Sequence, residues 1–326
     1  MFRNLNASAL LASGLLSLLS ACGGDGLTLA GGGIDGTGSP AQFSEGVITK
    51  GSVILNGVRY DDTRAVVRID GRTTNASELA TGMFVKLRGT LNADGRTGTA
   101  EHVEVENEVR GVISAISATA QPATFVAVGQ TIVVDGSTVF ANVAGLAGLG
   151  VGARVEVYGQ RDATGAIRAS RVELIDASAV DELRGTVANL AGTSFTLGGV
   201  KVSFAGATID PPGAGIANGQ PVEVRGSFNG ASDVFVASLV DREDLDDTQV
   251  QPSNGEKLEV EGFVSALDAG ASTFIVNRRT VRYSAATRFE DGAASDLANN
   301  VKVEAEGRVD ASGVLVATKI EIKRSR

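Results

Sequence analysis

The chain has 326 residues but only one cysteine and one histidine, and it has no tryptophan. A single cysteine excludes an intramolecular disulfide, and one histidine with one cysteine cannot supply a Ser-His-Asp triad, a Cys-His pair or a zinc cluster. Only 5% of the residues are aromatic and the formal net charge is −9. Nucleic-acid binders need a positive field and aromatic stacking surfaces. The composition therefore predicts no nucleic-acid partner, no cofactor and no catalytic centre.

What the chain has instead is an eleven-residue pattern that occurs four times with the same spacing. The pattern is apolar-x-x-(Gly/Asn)-x-x-Val-x-apolar-x-Gly. Its copies run from Leu79 to Gly89, Leu149 to Gly159, Ile216 to Gly226 and Leu297 to Gly307. Constant spacing indicates one structural unit that is repeated along the chain.

Apolar residues at alternate positions, separated by turn dipeptides such as Asn56-Gly57, surround each copy and predict β-hairpins. Helical periodicity is absent beyond the N-terminal segment. We therefore predict an all-β fold of four tandem small β-barrel (OB-like) domains, because a small sheet avoids exposed edges by closing on itself. A small open sandwich is the alternative. We expect the last glycine of each copy to lie at a bulge or tight bend that excludes a side chain.

The N-terminal segment predicts export. An apolar run from Ala9 to Leu19 is too short to span a bilayer and is typical of a signal peptide. It ends in Leu19-Ser20-Ala21-Cys22, which resembles the lipobox of bacterial lipoproteins. The resemblance implies that Cys22 is the lipidation site and the first mature residue. Residues 22–44, rich in Gly, Ser and Thr, are expected to form a flexible tether.

The repeats and the lipobox together resemble bacterial outer-membrane lipoproteins built from tandem small β-domains catalogued as domain of unknown function 5666. The resemblance implies a cell-envelope protein anchored by lipid to the outer membrane of a Gram-negative bacterium, since Gly23 replaces the Asp that favours inner-membrane retention. Asn300, Ala305 and Pro221 depart from the repeat pattern. The resemblance implies architecture and location but no activity.

The landmarks predict seven segments. These are the signal peptide 1–21, the tether 22–44, repeat 1 at 45–108, repeat 2 at 109–177, repeat 3 at 181–245, an acidic and polar linker at 246–256, and repeat 4 at 257–324.

Candidate functional residues are few. Tyr158 lies on the outward phase of its strand and is the best candidate for an exposed aromatic ligand contact, and Arg59 and Arg282 are outward in matching Val-Arg-Tyr triplets. The sole histidine, His102, also has outward phase and is interpreted as a surface residue. Weak candidates for calcium ligands are Asp241, Glu243, Asp244, Asp246 and Asp247, although such a charge run is more typical of a solvated linker. Glu104, Glu106 and Glu108 alternate along one strand and are expected to face solvent.

The residues and the resemblance together predict a non-catalytic envelope lipoprotein that acts as a binding, scaffold or spacer module for another envelope protein or polysaccharide. The alternatives are a glycan-binding module for peptidoglycan or exopolysaccharide, a calcium-dependent adhesion protein, and a carboxylate-based hydrolase.

Overall fold

The structure, a computed structural model, describes residues 41–49, 53–243 and 249–323. The predicted signal peptide, Cys22, and Asp244, Asp246 and Asp247 lie outside the described residues. The described chain is all-β, as predicted, and contains short 3-10 turns at Ala76–Glu78, Leu146–Gly148 and Ala294–Asp296.

The strands fall into four groups that follow the four repeats. Repeat 1 contains β1 (Ala41–Val47), β2 (Ile54–Leu55), β3 (Val58–Asp61), β4 (Val66–Ile69), β5 (Arg72–Thr74), β6 (Phe84–Leu91) and β7 (Thr97–Glu106). Repeat 2 contains β8 (Val109–Ser117), β9 (Ala123–Ala127), β10 (Gln130–Val134), β11 (Val139–Ala141), β12 (Arg154–Arg161) and β13 (Ile167–Leu174).

The second half of the chain has the same order of elements. Repeat 3 contains β14 (Asp181–Thr186), β15 (Ala188–Ala191), β16 (Ser194–Leu197), β17 (Val200–Ser203), β18 (Thr208–Asp210), β19 (Pro221–Asn229) and β20 (Val234–Asp241). Repeat 4 contains β21 (Lys257–Phe263), β22 (Ser265–Asp268), β23 (Thr273–Val276), β24 (Arg279–Arg282), β25 (Arg288–Glu290), β26 (Lys302–Val309) and β27 (Leu315–Lys323). Two predicted boundaries change: β1 begins at Ala41, inside the predicted tether, and Val250 of the predicted linker is buried.

Strand pairing in repeat 2 returns to its starting strand. β8 pairs with β9, β9 with β10, β10 in parallel with β13, β13 with β12, and β12 with β8. In repeats 3 and 4 the first strand is interrupted at Val187 or Val264, and its two halves pair with different neighbours. This pairing turns the alternate apolar side chains of each repeat toward a common interior.

The pattern glycines have the structural role that was predicted. Every copy has a register shift immediately before its last glycine, at Gly89, Gly159, Gly226 and Gly307. A Cβ atom at Gly159 would lie 2.3 Å from the carbonyl oxygen of Arg168, and one at Gly307 only 2.0 Å from that of Val316. Because these contacts are with backbone, a side chain cannot be accommodated by rotating a neighbour.

The backbone conformation at the fourth position of the pattern explains why repeat 4 has Asn where the other repeats have Gly. Gly82, Gly152 and Gly219 have φ of +88°, +93° and +87°, and Asn300 has φ of +73°. Asn is among the few residues other than Gly that adopt this left-handed region readily. Asn300 therefore preserves the turn.

The interiors of the repeats are apolar. Phe125, Phe195 and Phe274 occupy equivalent positions and are buried, as predicted. Burying a side chain of this size contributes roughly 1.5–3 kcal/mol. The cores of repeats 2 and 3 form one continuous cluster, whereas repeats 1 and 4 each have their own.

The repeats are joined through their first strands. β8 pairs antiparallel with β14, which joins repeats 2 and 3 in a 13-stranded sheet. β1 pairs in parallel with β21, which joins repeats 1 and 4 in a 14-stranded sheet. The first and last repeats are thus direct neighbours although they are farthest apart in the chain.

Candidate functional site

The outer faces of the four repeats meet at a cluster of charged side chains, here called the charged junction. The faces meet because the joined first strands carry apolar residues inward and charged residues outward. The junction consists of Asp70, Lys86 and Glu106 of repeat 1, Arg110 and Glu156 of repeat 2, Glu182, Arg184, Glu223 and Arg225 of repeat 3 with the adjoining Glu243, and Arg278 of repeat 4.

One half of the junction is centred on Arg110. Its guanidinium donates to Glu182 Oε2 at 2.6 Å and also to Asp70 and Glu156. Burial, and then the neighbouring carboxylates Glu223 and Asp70, raise the pKa of Glu182 to about 8. Arg110 and Arg184 oppose this shift, but guanidinium groups that are shared with other carboxylates do not offset complete desolvation. Glu182 is therefore the carboxyl group in this half that holds a proton most strongly.

The other half is centred on Arg184, which donates to Glu223 and, at 3.2 Å, to Glu243 Oε1. Lys86 donates to Glu106, and Arg184 Nη1 lies 3.7 Å from the same carboxylate. Burial alone would raise the pKa of Glu106, but Lys86, Arg184 and Arg278 lower it to about 2. Glu106 is therefore ionised at any ordinary pH.

The prediction that Glu104, Glu106 and Glu108 face solvent is wrong. Glu104 and Glu106 are buried, and Glu108 is half-buried with its Oε2 2.8 Å from Arg161 Nε. These side chains do point away from the interior of repeat 1. That outer face is covered by other repeats, so alternation along the strand assigned the correct face but not its surroundings.

The prediction that Tyr158 is an exposed ligand contact is also wrong. Only 2% of Tyr158 is exposed, and it belongs to the apolar cluster of repeat 1. Its strand β12 belongs to repeat 2, so the ring leaves its own repeat and enters the neighbouring core. Burial strongly raises the pKa of its hydroxyl group.

The remaining predicted residues are dispersed. Arg59 and Arg282 are exposed, and Arg282 donates to Asp310 Oδ2 at 2.8 Å, whereas His102 is half-buried. Of the predicted acidic run, Glu243 is buried against Arg184 and is not a solvated linker residue. Across 41–49, 53–243 and 249–323, His, Asp and Glu side chains form no group of three or more suited to a metal ion. No helix within these ranges is long and apolar enough to cross a membrane.

A cavity of about 350 Å³ lies beside the junction and takes residues from all four repeats. Its lining includes Phe84 and Lys86 of repeat 1, Gln160, Arg161 and Asp162 of repeat 2, Thr186 and Pro221 of repeat 3, and Ile275, Asn277 and Arg278 of repeat 4, together with Glu45 and Glu108. A second cavity of about 310 Å³ also borders Lys86, Pro221 and Arg278. Because all four repeats line the first cavity, it exists only when the four repeats are assembled.

Sequence reasoning missed both the junction and the cavity. One signal was available in the β-hairpin turns. Their second turn residue is Gly57, Gly129 and Gly199 in repeats 1 to 3, but it is Arg278 in repeat 4. A charged residue at a glycine position marks a site where repeat 4 differs from the others.

These features define an all-β protein of four tandem domains that are assembled around a charged centre. The chain belongs to the family described as Domain of unknown function (DUF5666), which matches it four times, at residues 45–104, 110–173, 184–241 and 244–321. The comparison with curated proteins gave no match. Among solved structures, "drosophila Unr CSD456" is similar with 14% identity over 68% of this chain and 99% of that chain, at a TM-score of 0.18. A TM-score this low supports no inference about fold or function.

Proposed function

We propose that this protein is a non-catalytic lipoprotein of the cell envelope whose four β-domains form a rigid binding, scaffold or spacer module for another envelope component. The observation that carries the proposal is the charged junction, because buried ion pairs between repeats oppose their independent motion. The module would present a fixed arrangement of surfaces to its partner. This differs from a flexible string of weak sites that acts through avidity.

We further propose that each repeat is a small closed barrel of the OB type. The support is the pairing order of repeat 2, in which five strands return to the first and the third strand runs parallel to the fifth. The bulge at Gly159 suits the strong coiling that closure of a five-stranded sheet requires.

The proposed location rests on Cys22 and the preceding apolar run, with lipid attached to the cysteine and the anchor in the outer membrane. The test has two arms, the wild type and Cys22→Ser, both expressed in a Gram-negative host. We expect metabolic labelling with a fatty acid, and recovery with the outer-membrane fraction, for the wild type only. Equal labelling of both proteins would contradict the anchor.

The partner is sought by crosslinking the lipidated protein in its own envelope and identifying captured molecules by mass spectrometry. Stoichiometric recovery of one envelope protein supports the scaffold role. Recovery of glycan alone would replace it with glycan binding, and recovery of neither would leave only the spacer role.

The alternatives have less support. Tyr158 is buried, so glycan binding would have to use residues such as Arg59 and Arg282. Hydrolysis would need an accessible carboxyl group with a raised pKa, but the Glu182 side chain is completely buried. Calcium-dependent adhesion has one candidate ligand fewer, because Glu243 forms an ion pair with Arg184. A calcium-induced rise in melting temperature that Asp246→Asn and Asp247→Asn abolish would restore that alternative.

A further inference from the structure

The turn between β23 and β24 contains a strained residue. Asn277 and Arg278 have φ of +47° and +66°, which two-residue hairpin turns require. An arginine in this conformation is unfavourable, and such outliers concentrate where the side chain has a function. Since repeats 1 to 3 place glycine at this position, the fold itself does not require arginine.

The Arg278 side chain extends into the cavity described above, and it is a quarter exposed although four repeats surround it. Its Nη2 donates to Glu106 Oε2 over a long 3.4 Å. Its Nη1 lies 3.9 Å from Glu108 Oε1 and is buried without a hydrogen-bond acceptor among the described residues. Arginine normally uses its planar array of donors fully when buried.

Glu108 lies beside Arg278 on the same wall. Its Oε2 is ion-paired with Arg161 Nε at 2.8 Å, but the geometry of this pair is not that of an aligned hydrogen bond. The cavity wall thus holds a cation and an anion side by side, each with unused hydrogen-bonding capacity. The Glu108 and Arg278 side chains as a whole are 12% and 25% exposed, so a ligand in the cavity that donates to Glu108 and accepts from Arg278 would add hydrogen bonds that the junction lacks.

The cavity lining is balanced in charge, with Lys86, Arg161 and Arg278 facing Glu45, Glu108 and Asp162. A ligand with net charge would therefore bring an uncompensated charge into a desolvated site. Phe84, Pro221 and Ile275 provide an apolar surface in the same cavity. The volume of about 350 Å³ lies within the range of small-molecule sites.

We propose that this cavity binds a small zwitterion with an apolar side chain, an amino acid or short peptide with free termini, whose carboxylate contacts Arg278 and whose ammonium contacts Glu108. The site does not depend on the location or partner proposed above. Failure to bind this ligand would leave the scaffold proposal standing.

Isothermal titration of the full-length protein in detergent tests the site, with L-leucyl-L-leucine as the probe. The N-acetylated dipeptide, which lacks the ammonium, and the dipeptide amide, which lacks the carboxylate, are the comparison probes. We expect each to bind at least tenfold more weakly than the zwitterion. If the N-acetylated dipeptide bound as tightly as the dipeptide, the ligand would be an anion and not a zwitterion. If none of the three probes bound at millimolar concentration, the proposal would be overturned.

Arg278→Gly removes the guanidinium and introduces the turn residue of the other repeats, so we expect the fold to be retained and dipeptide affinity to fall at least tenfold. Arg96→Gly, on an exposed turn, is the matched control and should leave affinity unchanged. Glu108→Gln should weaken binding of the dipeptide but leave binding of the N-acetylated dipeptide unchanged. Unchanged dipeptide affinity in folded Arg278→Gly would contradict the assignment.

Discussion

The interiors of the repeats and the junction between them are both buried, but they are built from opposite kinds of side chain. Each interior is formed by Val, Ile, Leu and Phe at positions that recur in all four repeats. The junction residues Arg110 and Arg184 also share one position, directly before the first glycine of their repeats, but repeats 1 and 4 have Glu45 and Glu261 there. Repetition therefore explains how each unit folds. Differences in charge between equivalent outward positions explain how the units are assembled.

One of the two largest effects should come from Arg184→Met. This change leaves Glu223, Glu243 and Glu106 without their shared cation, and breaking a buried ion pair by removing one partner costs about 3–5 kcal/mol. The control is Arg288→Met, because Arg288 is 69% exposed and its pair with Glu290 should contribute less than about 1 kcal/mol. Urea unfolding measures both. Similar effects of the two substitutions would mean that the junction is not a stabilising element.

Tyr158→Ala distinguishes a core residue from a surface contact. Loss of a large ring from the core of repeat 1 should destabilise the protein by about 3–5 kcal/mol. Val151→Ala, at a residue that is 67% exposed, is expected to change stability by less than about 0.5 kcal/mol. A Tyr158→Ala protein as stable as the wild type would show that repeats 1 and 2 do not pack in this way.

Gly159→Ala adds one methyl group against the backbone carbonyl of Arg168, and we expect a loss of about 2–3 kcal/mol because the strand must shift to accept it. Gly136→Ala is the matched control, since a Cβ atom at Gly136 has no atom within 4 Å. Thermal unfolding of both variants is the measurement. An equal, small change in melting temperature would exclude a steric requirement at the bulge.

A further difference between the two kinds of buried region concerns pH. Burial, and then Glu304, raise the pKa of Glu259 from 4.5 to about 9, with Lys319 acting in the opposite direction. The folded state thus holds a proton that the unfolded state loses, so this group's contribution to stability is full below about pH 4.5 and declines as the pH rises to about 9.

Glu259→Gln mimics the protonated form and should remove this decline. Between about pH 5 and about pH 9 we expect the wild type to lose at least about 1.4 kcal/mol more than the variant, the equivalent of one pKa unit. Urea unfolding at both pH values provides the comparison. Parallel profiles would indicate that Glu259 is ionised in the folded protein.

Much of the fold could be predicted from local signals. Three examples are the bulge at Gly159, the left-handed turn at Asn300 and the burial of Phe125. Each depends on contacts within one repeat, so the fixed spacing of residues in the repeats is enough to predict it. The surroundings of Tyr158 and Glu106 could not be predicted in this way. Alternation along a strand tells which side chains leave a repeat but not whether they meet water or another repeat.

The sequence by itself determined the all-β class, the number of repeats, the turns and the side chains that fill each interior, because those features follow from period-two alternation and from glycine at sterically restricted positions. Only the tertiary structure decided that β1 pairs with β21, that β8 pairs with β14, and that Arg184 and Arg278 both meet Glu106 of repeat 1. The physical reason is separation along the chain. The pairing of β1 with β21 joins residues more than 200 positions apart. Such a pairing stabilises the protein only once the repeats, each with its own sequence pattern, have packed together.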